Sequence, residues 1–223
     1  MAIPIIISNC GAASGATFSG NCIFAVNGFD CIIKNITEGC TYNSFRPYRF
    51  LSSDCNCLLA TEGNCGNKIF ILDNCFNEIG SICPPCAEGT LLTAYITCGR
   101  KLLLTYRKKI VIANGDGSIG ETIATSNREN TDFIAAFPYH NGLLIAFNDG
   151  YRDTIQYRSC NGSISNCILP RCVNIQSFTQ SDDGTVYGLF AKGYPYRYLI
   201  PVIIDGRLNC VTEECFGTNL CGC

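Results

Sequence analysis

A pair of apolar, strand-like segments recurs along the chain at a nearly constant spacing. In four copies the first segment carries an equivalent apolar residue, at Leu58, Leu102, Leu143 and Val186, in steps of 44, 41 and 43 residues. Another copy begins at Cys22–Val26. Repeats of about 40–45 residues with four short strands each are typical of β-propeller blades. The repeat therefore predicts an all-β fold, a five-bladed β-propeller of four-stranded blades.

Further short strands are predicted on both sides of these pairs. Those ahead of a pair are Arg49–Ser52, Ala94–Thr97, Asp132–Ala136 and Gln176–Gln180, and candidate fourth strands are Glu78–Ile82, Glu121–Ala124 and Ser163–Ile168. One such sheet cannot bury both of its faces, so the copies must pack around an axis. They fill the chain without a linker, which predicts one domain over residues 1–223 with cysteine-bearing arms at about 1–17 and 211–223. A β-sandwich with coincidental spacing is the alternative.

One segment of the chain resembles a known repeat. Residues 48–82 read YRFLSSDCNCLLATEGNCGNKIFILDNCFNEIGSI: a strand, an Asp-containing turn, an LL-x-x strand, a polar loop, an I-x-I-x-D strand, a turn and an I-x-x-I strand. This resembles a blade of the NHL/40-residue-repeat type of propeller, closely here and loosely over most of residues 45–205. The resemblance implies a fold, and it implies no particular activity because the family includes enzymes, binding modules and scaffolds.

The cysteine content is unusually high, with 18 cysteines in 223 residues. Such a content is typical of small secreted scaffolds, but a chain of this length buries a sufficient core without covalent support. Eleven cysteines lie between Cys10 and Cys98, none lies in residues 99–159, and seven follow from Cys160 to Cys223. The middle of the chain is expected to fold without bridges, which favours durability or subunit cross-linking as the purpose of the cysteines.

Structural disulfides, metal ligation and redox chemistry are the three interpretations of these thiols. Cys83-Pro-Pro-Cys86 has the CxxC spacing of zinc sites and redox dithiols. No second pair with this spacing accompanies it, the single histidine His140 lies in the cysteine-free region, and no helix-forming pattern follows. Structural disulfides are therefore favoured, and no metal or cofactor is predicted.

The cysteines near the two ends lie outside the predicted blades. We expect these four, which are Cys10, Cys215, Cys221 and Cys223, to be candidates for intermolecular disulfides. A disulfide between the N-terminal and C-terminal cysteines of one chain is an equally weighted alternative, because propellers often pair their terminal segments within one blade.

Two groups of side chains are candidate interface residues. Ile5, Ile6 and Ile7 form a short apolar stretch suited to adding a strand to a neighbour's sheet edge. Tyr194, Tyr196 and Tyr198 belong to a Tyr/Arg-rich cluster, and tyrosine is enriched at protein interfaces. Stacking on sugars and packing of one blade against the next are alternative roles for these tyrosines.

Composition and motifs argue against several function classes. The net charge is −2 and the 16 Lys and Arg are scattered, so nucleic acid is not an expected partner. No apolar run approaches the ~18 residues of a membrane span, and the N-terminus has no secretory signal pattern. His140 precedes an Asn-Gly turn, and no motif selects a pair of carboxylates, so no catalytic residues and no enzymatic activity are predicted.

The sequence favours a self-assembling structural protein that forms a disulfide-reinforced extracellular fibre, coat or surface layer as a homo-oligomer or polymer. In character the chain resembles cysteine-rich spore-coat and spore-appendage proteins, which implies a location outside the cell or at a spore or cell surface without a classical Sec signal. The alternative is a monomeric propeller that binds a carbohydrate or a protein partner through Tyr/Arg-rich loops. An enzyme with its site at the propeller mouth is a third hypothesis.

Overall fold

The chain folds into five antiparallel sheets arranged in a ring. The computed structural model describes residues 5–7, 13–54, 57–62, 67–85, 88–97, 99–140, 142–193 and 196–216. The strands in these ranges are β1 (Ile5–Ile7), β2 (Gly15–Ser19), β3 (Cys22–Val26), β4 (Ile32–Asn35), β5 (Thr41–Asn43), β6 (Tyr48–Asp54), β7 (Cys57–Glu62), β8 (Ile69–Leu72), β9 (Glu78–Ile82), β10 (Leu91–Ile96), β11 (Leu102–Tyr106), β12 (Lys109–Ala113), β13 (Ile119–Thr125), β14 (Asp132–Tyr139), β15 (Gly142–Asn148), β16 (Asp153–Ser159), β17 (Ile164–Ile168), β18 (Val173–Gln180), β19 (Val186–Lys192), β20 (Arg197–Ile204) and β21 (Arg207–Leu208). A 3-10 helix, Glu213–Phe216, follows.

Four blades are each built from four consecutive strands. Blade 1 contains β2–β5, blade 2 β6–β9, blade 3 β10–β13 and blade 4 β14–β17. The first strand of each blade lies at the axis, where each packs on the next and β18 packs back on β2. The β2–β6 contact is especially close, because a Cβ atom at Gly15 would lie 2.8 Å from the Phe50 Cα atom. The predicted five-bladed propeller is confirmed, and the β-sandwich alternative is wrong.

The N-terminal strand completes blade 5. Strands β18, β19 and β20 form the inner part of this blade, and β1 pairs antiparallel with the outer edge of β20, with Ile5 opposite Leu199. β21 pairs with the same edge further along, with Ile203 opposite Leu208. Pro201 lies between the two paired stretches, and its carbonyl accepts a hydrogen bond from Asn209 Nδ2 at 2.9 Å. Pro201 thus lies opposite Tyr187 of β19 on the inner side, and on the outer side it falls in the gap between β1 and β21, where a proline is tolerated.

Burial decreases from the axis outward. Every residue of β11 is buried, whereas the outer strands β9, β13 and β17 each leave at least three residues exposed. The inner and middle strands pack against neighbouring blades on both faces, which explains their nearly continuous apolar sequences. The outer strands therefore carry the exposed sheet edges of the ring.

Candidate functional site

The outer strands of blades 2, 4 and 5 expose isoleucine side chains at an open sheet edge. The exposed fractions are 63% for Ile79 on β9, 58% and 63% for Ile164 and Ile168 on β17, and 54% for Ile6 on β1. Within the described ranges β9 and β17 each pair with one strand of their own blade. Their second edge presents backbone N–H and C=O groups that are free to pair with another strand. We call β9 and β17, with the cysteines that flank them, the outer rim.

Exposed cysteines flank the two strands of the outer rim. Cys75 precedes β9 and Cys83 follows it, while Cys160 precedes β17 and Cys172 follows it, and all four are exposed. Among the 11 cysteines that the structure describes, ten reach solvent at least partly. Blade 3 differs, because its outer strand β13 lies in the cysteine-free stretch and exposes no large apolar side chain.

The predicted interface residues do not lie together on one exposed surface. Ile7 is fully buried in blade 5, Ile5 is half-buried and Ile6 is exposed, so the N-terminal strand is already paired within its own chain. Tyr198 is buried, and Tyr196 is partly exposed at the start of β20. Tyr194 lies outside the described residues.

The four terminal cysteines are only partly described. Cys215 is half-buried, and its sulfur lies 3.7 Å from the Thr212 hydroxyl oxygen. Cys10, Cys221 and Cys223 lie outside the described residues. The structure thus places the one described member of this predicted set against its own chain.

Arg46 and Tyr48, at the start of blade 2, are engaged in internal contacts. Arg46 Nε and the Tyr48 hydroxyl each donate a hydrogen bond of 2.7 Å to Glu78 Oε1, and the Arg46 guanidinium lies 4.5 Å from the centre of the Phe70 ring. Burial opposes ionisation of Glu78, but the hydrogen bonds from Arg46 and Tyr48 outweigh it and hold the pKa of this carboxyl below its usual range. These contacts fasten β9 to its blade, which supports the packing role considered for such residues.

A cavity of about 660 Å³ opens at the carboxyl ends of the five inner strands. Its lining includes the hydroxyl groups of Thr17, Ser53 and Thr179 together with the rings of Tyr139 and His140. Several of these hydroxyls join adjacent blades, since Thr179 Oγ1 accepts a 3.0 Å hydrogen bond from the Phe18 N–H. We call this cavity the axial pocket.

Aromatic rings close the floor of the axial pocket. The centroid of the Tyr95 ring lies 5.1 Å from that of Phe50 and 5.0 Å from that of Phe137, both with edge-to-face geometry. A second cavity, of about 390 Å³, lies at the amino ends of the inner strands and is lined in part by Phe50, Arg107 and Asp132. Tyr95 and Phe137 line the axial pocket and Phe50 lines the second cavity, so these rings lie between the two cavities.

The chemistry available in the axial pocket is mainly that of neutral polar groups. Asp182 is the carboxylate in its lining, and His140 is the imidazole. Across the part of the chain that the structure describes, no three His, Cys, Asp or Glu side chains converge in a way that could hold a metal ion. The described residues also include no helix long and apolar enough to span a bilayer.

Comparison with solved structures identifies related folds. Glutaminyl cyclase from Myxococcus xanthus is similar with a TM-score of 0.62 and 9% sequence identity, covering 88% of this chain and 95% of that chain. The WD40 β-propeller domain of Doa1 is similar with a TM-score of 0.52 and 12% identity, covering 83% and 78%. No protein-family model and no curated protein matches the sequence. At these identities the likeness shows a propeller fold, and one fold hosts many activities.

Proposed function

We propose that this protein is a self-assembling structural subunit, in which the outer rim joins neighbouring copies and the rim cysteines form disulfides across the contacts. The observation that carries the proposal is the coincidence of open strand edges, exposed isoleucines and flanking thiols on blades 2 and 4. Blade 3, which lacks exposed isoleucines on its outer strand, also lacks rim thiols there. The assembly would be a fibre, coat or layer outside the reducing cytoplasm, where disulfides persist.

β17 lacks the devices that usually prevent edge pairing, whereas β9 carries one of them, a bulge at Ile79 where the register with β8 skips a residue. Natural edge strands are protected by lysines, prolines or bulges. β17 reads ISNCI and carries no charge, and the single charge of β9, Glu78, is neutralised by Arg46. By contrast, β13 carries the exposed Glu121. An uncharged apolar edge favours strand addition from a second copy.

Strand pairing would bring the flanking cysteines within bonding reach. Paired strands lie about 4.8 Å apart, and a disulfide requires a Cα–Cα separation of about 4.4–6.8 Å. Cys160 lies four residues before β17 and Cys172 four residues after it, so both would move toward their counterparts near the ends of a paired strand. Oxidation would then lock a contact that pairing had formed.

The size of the oxidised protein on denaturing gels, with and without reductant, tests this proposal. We expect a ladder of multimers that collapses to the 24.2 kDa chain on reduction. Replacing the four rim cysteines together by serine should abolish the ladder, whereas Cys31→Ser, at an exposed cysteine between β3 and β4, should leave it intact. The proposal would be overturned by a monomer under both conditions, or by a ladder that the rim substitutions leave unchanged.

The axial pocket supports a second candidate function, the binding of a small neutral ligand such as a sugar. Hydroxyl groups beside Tyr139 and His140 provide hydrogen-bonding partners and an aromatic wall. Titration calorimetry of the reduced monomer against a panel of mono- and disaccharides tests this function. We expect saturable binding that Tyr139→Ala weakens and the exposed control Tyr151→Ala does not, and absence of binding across the panel would contradict it.

A further inference from the structure

The segment that follows β20 folds back across the outside of the ring. The chain reverses at Asp205 and Gly206, both with positive φ angles, and the Asn209 N–H donates a hydrogen bond of 2.8 Å to the Val202 carbonyl. β21 forms in this return and also contacts β17 of blade 4. Residues 207–216, which we call the return segment, therefore extend from blade 5 to the outer strand of blade 4.

Apolar contacts hold the far end of the return segment in place. Phe216 is buried, and its ring lies 5.2 Å from that of Tyr198 and 6.2 Å from that of Phe190. Val211 is buried in the main hydrophobic cluster, which also contains Cys167. Val211 and Phe216 thus hold the return segment against the core after residue 210.

Cys167 is the only buried cysteine among those that the structure describes. It is 1% exposed and is the single buried residue of β17. Val211 belongs to the same apolar cluster, Cys215 packs against that cluster, and the neighbouring Cys210 thiol adds to the effect of burial in raising the pKa of Cys167. A buried thiol, an exposed thiol and a half-buried thiol therefore meet where the return segment crosses blade 4.

We propose that Cys167 and Cys210 form an intrachain disulfide that fastens the return segment to the outer strand of blade 4. The Cys210 thiol lies within interaction range of the Cys167 thiol, close to where β21 contacts β17. Cys215 is the thiol that competes with Cys210 for Cys167.

The oxidation can proceed through exchange with a small-molecule disulfide such as oxidised glutathione. The exposed Cys210 sulfur attacks the oxidant and forms a mixed disulfide, releasing one thiol, and the Cys167 sulfur then attacks Cys210 and releases the second. The two cysteines lose two electrons and two protons, which leave with the two released thiols. Burial, followed by the contact with Cys210, raises the pKa of Cys167 to about 12, so its attack is the slow step.

This bond would connect blade 4 to the end of blade 5. The loop that it closes runs from residue 167 to residue 210 and contains β18, β19 and β20. A cross-link over a loop of this size restricts the unfolded chain and stabilises the folded one. The bond lies within one chain, so it does not depend on whether subunits assemble.

Oxidation of the dilute, reduced full-length chain in a glutathione redox buffer tests this inference. After quenching by alkylation, peptide mapping of the monomeric fraction should recover a Cys167–Cys210 linked peptide. The thermal midpoint should rise by about 10 °C over that of the reduced protein. Cys210→Ser should remove both the linked peptide and the shift, whereas Cys160→Ser, at an exposed cysteine of the same blade, should retain both.

Three outcomes would overturn the assignment. These are an unlinked Cys167 in fully oxidised monomer, a Cys167–Cys215 bond in the wild type, and pairing of Cys210 with a rim cysteine. Cys210 is exposed, so its substitution leaves the packing around Cys167 intact and the variant remains informative. A chain that stays monomeric and forms the Cys167–Cys210 bond would retain this inference while contradicting the proposed assembly.

Discussion

The Tyr95 hydroxyl of blade 3 forms two hydrogen bonds across the axis with the Phe178 backbone of blade 5. It donates to the Phe178 carbonyl at 2.7 Å and accepts from the Phe178 N–H at 3.0 Å. The Phe178 N–H and C=O at the inner edge of β18 therefore pair with a side-chain hydroxyl in place of a neighbouring strand. Complete burial raises the pKa of Tyr95, so the hydroxyl stays protonated and continues to donate.

Tyr95→Phe should destabilise the ring by about 2–4 kcal/mol, because it leaves a buried N–H and a buried C=O without partners. Urea unfolding of the reduced protein measures this change. Tyr151→Phe is the matched control, since Tyr151 is 90% exposed, and it should shift the free energy of unfolding by less than about 0.5 kcal/mol. Equal effects of the two substitutions would show that the axial hydrogen bonds contribute nothing.

Ile7→Ala should weaken the closure of blade 5, because Ile7 is fully buried where β1 pairs with β20. A loss of about 2–4 kcal/mol is expected from the cavity left behind, together with faster proteolysis of the N-terminus. Ile6→Ala, at the exposed neighbouring position, should change neither measurement appreciably. If both variants behave alike, β1 does not close the blade in solution.

The stability of the reduced protein should decrease at high pH because of Cys167. Its folded-state pKa of about 12 exceeds the ordinary thiol value, so the unfolded chain loses this proton first. The contribution is fully present below about pH 9, and the free energy of unfolding then falls by up to about 1.4 kcal/mol per pH unit until the folded thiol ionises. Cys167→Ala should lack this component, and identical pH profiles for wild type and variant would contradict the assignment.

A lysine on the outer rim should impede assembly. Ile79→Lys places a charge on the exposed face of β9, and we expect at least about tenfold weaker association of the reduced protein in light scattering. Thr122→Lys on β13, the exposed outer strand of blade 3, is the matched control and should leave association unchanged. Equal loss in both variants would point to net charge as the cause.

The blade pattern was predictable because the local sequence specifies each strand. β9 occupies the predicted range Glu78–Ile82 and β3 the predicted range Cys22–Val26. Apolar runs bounded by Gly, Asn and Asp specify such strands without reference to distant residues. The prediction for blade 1 was less complete, because it omitted β2 and β5. β2 falls in a stretch that the prediction assigned partly to the N-terminal arm.

The contacts between distant segments were not predictable in the same way. An apolar stretch such as Ile5–Ile7 suits any open edge, and nothing local distinguishes β20 of its own chain from the edge of another copy. Tyr198 was a candidate interface residue and is buried, because β20 packs on both faces. The meeting of Cys167 with Cys210 depends on the path of the return segment, which the spacing of cysteines does not encode.

The most direct test of the account is a map of disulfides in assemblies grown from a mixture of ¹⁴N-labelled and ¹⁵N-labelled chains. An interchain bond yields linked peptides of mixed isotope composition, whereas an intrachain bond yields only unmixed ones. We predict mixed peptides for the rim cysteines Cys75, Cys83, Cys160 and Cys172, and unmixed peptides for Cys167–Cys210. Exclusively unmixed peptides at the rim cysteines would contradict a covalent assembly.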